Sequence, residues 1–415
     1  MMKTILVGLF LTVLNLHFAA ASRAGEDYVA HEWGTFTSVQ GADGMQLEWN
    51  PLLLTELPQF VHDRTRPNGK PDLAVLLSKT GIVARQRLET PVIYFYSAKP
   101  RSVDVSVRFP SGTVTEWYPR ETPAAKGDKA APALRWANVE IVPRAGASAE
   151  LPMEKSGSHY YAARETEADF VRVAADKERE TEKFLFYRGV GNFNAPLTLT
   201  VAGPDAADLS LKNSGAAELR DLFVVETRAD GLAYRHLAKL APGDTQKQAL
   251  TPVKPVANQR EALAADLRAA LVSAGLYAAE AAAMVKTWDD SWLGEPGVRV
   301  LYVLPRVWTD GILPLAITPA PRETVRVMVG RAEVITPPVE RALATEIERF
   351  RSEDEATRAT AVANVRSLGL GRFLEAALRR FSAQHPNDRE LSTAGWTLLE
   401  LASAPPAPPK VAAQP

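Results

Sequence analysis

At 415 residues, with 46% hydrophobic and 23% charged side chains, the chain has a globular composition and the length for two or three domains. Its formal charge of −1 gives a polyanion nothing to bind, so nucleic acid is not expected as a partner. It has no cysteine, which excludes disulfides, thiolate metal sites, a thiol nucleophile and a lipid anchor on cysteine.

Lys3, the apolar run Ile5 to Phe18 and the small residues Ala19, Ala20 and Ala21 form the three regions of a secretory signal peptide over residues 1–21. Cleavage after Ala21 releases a mature chain from Ser22, and Ala24 is a second cleavage position. The expected destination is the periplasm or the exterior. The apolar run is short for an anchor, so no membrane span is expected after cleavage.

Residues 22–89 read as an N-terminal wrapping segment: β-prone from Val29 to Val39, turn-forming from Gly41 to Gly44, then Pro-punctuated. Residues 90–250 carry short β-prone runs between Pro and Gly turns, the pattern of an antiparallel β-sandwich. In one run Val103, Val105, Val107 and Phe109 alternate with Asp104, Ser106 and Arg108, which predicts one buried and one wet face. The stretch from Glu121 to Ala133 reads as a mobile loop, and Thr251 to Val256 as a linker in which Pro252 and Pro255 oppose helix and central strand.

Residues 251–335 predict a helical hairpin followed by strands. Asn258 and Glu261 make a capping box for a helix with Leu263, Leu267 and Leu271 on one face. Residues 336–403 predict a helical C-terminal domain, started by Thr336-Pro337 and continued from capping boxes at Ser352/Glu355 and Asn387/Glu390. Residues 404–415 read as a disordered Pro/Ala tail. The expected class is therefore mixed β and α: a sandwich, an α+β segment and a C-terminal helical bundle. Trp-bearing residues 31–36 are expected to dock on the stretch from 284 to 338.

Four blocks carry a resemblance: HEWGTFTSV at 31–39, ETPVIYFYS at 89–97, FLFYRGVGNF at 184–193 and RVMVGRAEVITP at 326–337. Together they resemble a family of exported bacterial proteins without an assigned activity. The resemblance implies a shared fold and export, and it carries over no functional residue.

The chemistry legible in the chain is sparse. His31-Glu32 begins like a zinc peptidase helix but lacks the second histidine, since Thr35 stands in its place. His31, His62 and Glu32 are the most economical metal set, and scattered histidines are more often ordinary, so no metal or other cofactor is expected. No serine sits in a nucleophile elbow. Gly189 and Gly191 lack the third glycine of a dinucleotide loop, and a bulge or turn explains them better.

Carboxylate chemistry is the enzymatic reading that remains. Asp289 and Asp290 beside Trp288 and Trp292, or Glu32 beside Trp33, supply the acids and aromatics of a glycan-cleaving cleft. The plain alternative is that the acids are solvated and the tryptophans pack. Arg164, Arg188, Arg299, Arg306, Arg326 and Arg331 lie in or beside apolar strands, where each must pair or snorkel. Glu165, Glu333 and Asp310 are the candidate partners, and an anion pocket is the sharper alternative. The leading functional expectation is a non-catalytic envelope or extracellular protein. It binds a polysaccharide or another envelope component through Trp33, Trp288, Trp292 and Trp308. A hydrolase with paired carboxylates is the alternative.

Overall fold

A computed structural model describes residues 26–51, 57–64, 83–123, 133–145, 147–154, 157–175, 178–203, 208–250 and 258–404. The signal peptide, the 251–256 linker, most of the 50–81 segment, most of the loop before Ala133 and residues 405–415 lie outside the described residues. In chain order the strands begin with β1 Glu26–Gly41, β2 His62–Asp63, β3 Gln86–Ser97, β4 Arg101–Val107, β5 Gly112–Tyr118 and β6 Leu134–Val142. Then come β7 Phe170–Ala175, β8 Glu178–Glu182, β9 Leu185–Gly191, β10 Leu197–Ala202, β11 Asp208–Asn213 and β12 Leu219–Arg228. The last are β13 Gly231–Leu240, β14 Thr245–Ala249, β15 Gly297–Val303, β16 Leu315–Thr318 and β17 Pro321–Ile335.

Nine strands form the largest sheet, in the order β13-β12-β15-β17-β1-β3-β9-β5-β2. Strand β1 is therefore its middle, parallel to β17 and antiparallel to β3. This corrects the wrapping role expected for residues 22–89: the first described segment is the central strand of the largest sheet. Every side chain from Tyr28 to Gly41 is buried, because both faces of the sheet are covered. The expected docking of residues 31–36 on the 284–338 stretch takes the form of strand pairing, with Trp33 opposite Val327 and Phe36 opposite Gly330.

Over one face lie the sheets β16-β4-β6-β7-β8 and β10-β11-β14. Phe36, Leu88, Val105, Trp136 and Leu199 share the apolar cluster between them. The strands of 90–250 are thus divided among three sheets, and the largest of these also needs β1, β15 and β17.

Helices cover the other face. A hairpin of α1 Gln259–Ser273 and α2 Ala278–Asp289, closed by a π-helical turn at Asp290–Gly294, packs on Trp33, Leu301 and Val327. A short α3, Arg306–Ile312, precedes β16. Farther along the same face, α4 Pro337–Phe350, α5 Glu355–Ser367, α6 Leu374–Gln384 and α7 Arg389–Ser403 pack on Val39, Trp49 and Ile335. Among the described residues no helix is long and apolar enough to cross a membrane.

Candidate functional site

Side chains of β1 alternate between the two faces. On the helix side, Trp33 belongs to the hairpin's cluster and Val39 to that of the C-terminal helices. Thr35 and Thr37 lie between them, at the boundary of the two cores. Pairing carries this polar break across the sheet. Thr37 lies opposite Arg331 on β17 and Arg87 on β3, and Thr35 opposite Glu89. Val39 aligns with Glu333, which faces Arg299 on β15. Beyond β3, Arg188 of β9 stands opposite Glu116 of β5. A belt of buried charge therefore crosses six strands between two apolar cores.

Glu89 is the hub of one half. It accepts from the Thr37 hydroxyl at 2.7 Å and from Arg372 Nη1 at 2.5 Å, with Arg87 Nε 3.2 Å away. Burial alone would raise its pKa, but Arg372, Arg87 and Arg188 together hold the carboxyl well below the usual range. Burial in turn pulls Arg87 down to about 10, against the attraction of Glu89. The register of β3 slips on both sides between residues 88 and 92, and Thr90 there sits at φ 50°. A β-branched residue in the left-handed region is strained, and such a bulge re-aims its neighbours.

The other half is built on Glu333. Glu333 takes Arg299 at 2.6 Å and also pairs with Arg331, which reaches Glu295 as well. The Phe373 ring lies between the two halves, 5.4 Å from the Arg331 guanidinium and 5.1 Å from that of Arg372. Two cavities border these charges. One of about 380 Å3 is lined by Val39, Pro296, Glu333, Ile335 and Leu370; one of about 340 Å3 by Trp49, Arg87, Val365, Arg372 and Leu399.

Not every guanidinium in the belt is satisfied. Among the described residues Arg188 Nε and Nη1, Arg372 Nε and Nη2 and Arg331 Nη1 are buried without a hydrogen-bond partner. Arg188 has no carboxylate within ion-pair distance in the described residues, although it is only 8% exposed.

The residues singled out from sequence are dispersed. Trp33, Trp288 and Trp292 are buried in the core under the helical hairpin, with Trp288 and Trp292 stacked 6.3 Å apart. Trp308 packs against Phe36 and Phe193 on the opposite face. They do not line a common groove. Asp289 pairs with Arg260, and Asp290 lies 3.9 Å from it, on the outer side of the hairpin. Glu32 is wholly buried, accepting from Tyr187 and pairing with Arg326. His31 bonds Glu280 at 2.8 Å and His62 bonds Glu180 at 3.0 Å, so they do not form a set with Glu32. The described residues contain no group of three metal-ligating side chains.

Sequence reasoning named Arg188, Arg299 and Arg331 but missed Arg87, Glu89, Thr37 and Arg372. Glu333 and Asp310 do act as arginine partners, Asp310 for both Arg306 and Arg326. Arg164 instead takes Glu182, while Glu165 pairs with Lys286. Charged residues inside β-prone runs were the available signal for the belt. Arg372, arriving from a helical region 283 positions beyond Glu89, carried none.

The chain matches no family model and no curated protein. Among solved structures it is similar to the yeast delta-COP-I mu-homology domain complexed with a WxWxV peptide. That match has 8% identity and TM-score 0.31, covering 75% of this chain and 99% of the other. The same yeast domain alone gives 9% identity and TM-score 0.32, covering 75% and 98%. A Danio rerio Fcho1 mu homology domain with a bound Eps15 peptide gives 8% and 0.31, covering 75% and 98%. At these scores the likeness carries no argument.

Proposed function

We propose that the protein is an exported, non-catalytic binding protein of the bacterial envelope or exterior. Its ligand site is the seam between the central sheet and the C-terminal helices. The observation that carries this reading is the pair of cavities, about 380 Å3 beside Glu333 and about 340 Å3 beside Arg87 and Arg372. Both fall in the size range of ligand sites and border buried charge that the fold holds at a cost. Export rests on the signal pattern of residues 1–21.

A tryptophan-lined glycan groove draws no support, because Trp33, Trp288 and Trp292 are core. A hydrolase built on Asp289 and Asp290 draws none either, since both acids flank Arg260 rather than face each other across a cleft. The reading is therefore binding of an envelope component in the seam.

The test incubates the mature chain, Ser22 onward, with separated envelope lipids, peptides and glycans. Complex formation and release of cleaved product are followed together. Binding without cleavage, lost in Ala402→Trp, which fills the smaller cavity, is the expected result. Cleavage that disappears in Asp289→Asn would overturn it.

A further inference from the structure

We propose that the 340 Å3 cavity is a receptor site for a small amphipathic oxyanion, a carboxylate or phosphate ester on an apolar body. This deepens the binding reading above and rests on it. Arg372 and Arg87 take the head group. Val365, Leu374 and Leu399, which line the same cavity, take the body.

Charge is the first argument. Among the described residues, two buried carboxylates, Glu89 and Glu116, act on Arg87, while Arg188 and Arg372 add two more guanidiniums to the cluster. A guanidinium offers five N–H donors and cannot give up its charge, so an unmatched one in the interior is costly. Arg372 spends Nη1 on Glu89, yet its Nε and Nη2 are buried without an acceptor. Arg188, one strand behind, leaves Nε and Nη1 in the same state. An oxyanion in the cavity supplies the acceptors that Arg372 lacks, and it fits the edge of a guanidinium in a bidentate geometry.

Shape supplies the second argument. The cavity is not a polar bowl: Trp49, Val365, Leu374, Leu399 and Ala402 are much of its wall. Its other charges are already engaged. Glu375 holds Arg379 and the backbone N–H of Asn50. Arg366 caps carbonyls of Leu401, Ala402 and Ala404 at the end of α7. An inorganic anion would leave the apolar wall empty, and a neutral chain would leave the Arg372 donors unmatched. A ligand with both parts answers both.

The experiment is calorimetric titration of the mature chain with four probes: octanoate, hexyl phosphate, octanol and inorganic phosphate. Saturable binding of octanoate or hexyl phosphate is expected, and which of the two binds more tightly identifies the head group. Octanol and inorganic phosphate should bind about tenfold or more weakly, since a charge-assisted contact or a buried chain accounts for at least that much. Arg372→Gln should weaken the anion about tenfold or more. Because Arg372 also holds Glu89, two further variants are read beside it. Arg372→Lys keeps the charge without the fork, and Leu399→Trp blocks the body while leaving the charges intact. Equal affinity for octanol and octanoate, or unchanged octanoate binding in both Arg372→Gln and Leu399→Trp, would overturn the proposal. If no probe binds but an envelope component still binds and Ala402→Trp abolishes that, the oxyanion fails and the binding role survives.

Discussion

Glu89 carries more of the belt than any other side chain. Removing its charge by Glu89→Gln leaves Arg87 and Arg372 without their shared partner, which is expected to cost about 3–5 kcal/mol in urea unfolding. The pH dependence follows from the same geometry. The folded carboxyl titrates below its unfolded value near 4.5, so its contribution is fully present above that pH and is lost as pH falls through the folded value. The wild type should therefore lose stability on acidification more steeply than Glu89→Gln; identical slopes would remove Glu89 as the hub. Arg188 is the opposite case. With no carboxylate in ion-pair reach among the described residues, Arg188→Met should leave the unfolding midpoint unchanged or raise it. A large loss would mean that the guanidinium is paired. At this scale the sequence showed that arginines sit in apolar strands, but not which carboxylate each meets, because ion pairs join positions up to 337 residues apart.

Periodicity and end signals located the helices, but the chemistry of their ends was only partly legible. Thr336-Pro337 does open α4. Asn258, however, sits in the left-handed region and makes no side-chain cap, so the box with Glu261 does not form. The expected caps at Ser352 and Asn387 fall instead on aspartates two and one positions later: Asp354 accepts from Thr357 N, and Asp388 from Leu391 N at 2.8 Å. Both candidates in each pair are good cap residues, and local sequence does not rank them. Asp388→Ala should cost ~1 kcal/mol in thermal unfolding while Asn387→Ala changes little; the reverse order would restore the sequence reading. At Tyr277 the Glu280 half of a capping box forms: Glu280 accepts the Tyr277 N–H at 2.7 Å while also holding His31. That contact fastens the hairpin to β1. Gly189 and Gly191 are packing glycines: a Cβ on Gly189 would meet the Thr113 carbonyl oxygen at 2.5 Å, and one on Gly191 the Phe193 ring at the same distance.

The parallel pairing of β1 with β17, which joins chain segments almost 300 residues apart, organises the whole molecule. Composition and alternation made the mixed class legible. They could not show this pairing, because a strand buried on both faces loses the polar alternation that reports orientation. Domain boundaries drawn at composition shifts therefore cut through one sheet. Residues 90–250 produced alone should show no cooperative unfolding, since β1, β15 and β17 are missing from the sheet that β9 and β12 need; a sharp transition would make that segment a domain after all. The same long-range closure creates the seam, where C-terminal helices meet the middle of a sheet started at the other end of the chain. Hydrogen–deuterium exchange of the mature protein with and without octanoate tests that seam most directly. Protection confined to residues 86–90, 365–375 and 399–403 is the expected result. Protection over residues 284–293 instead, or none anywhere, would contradict it.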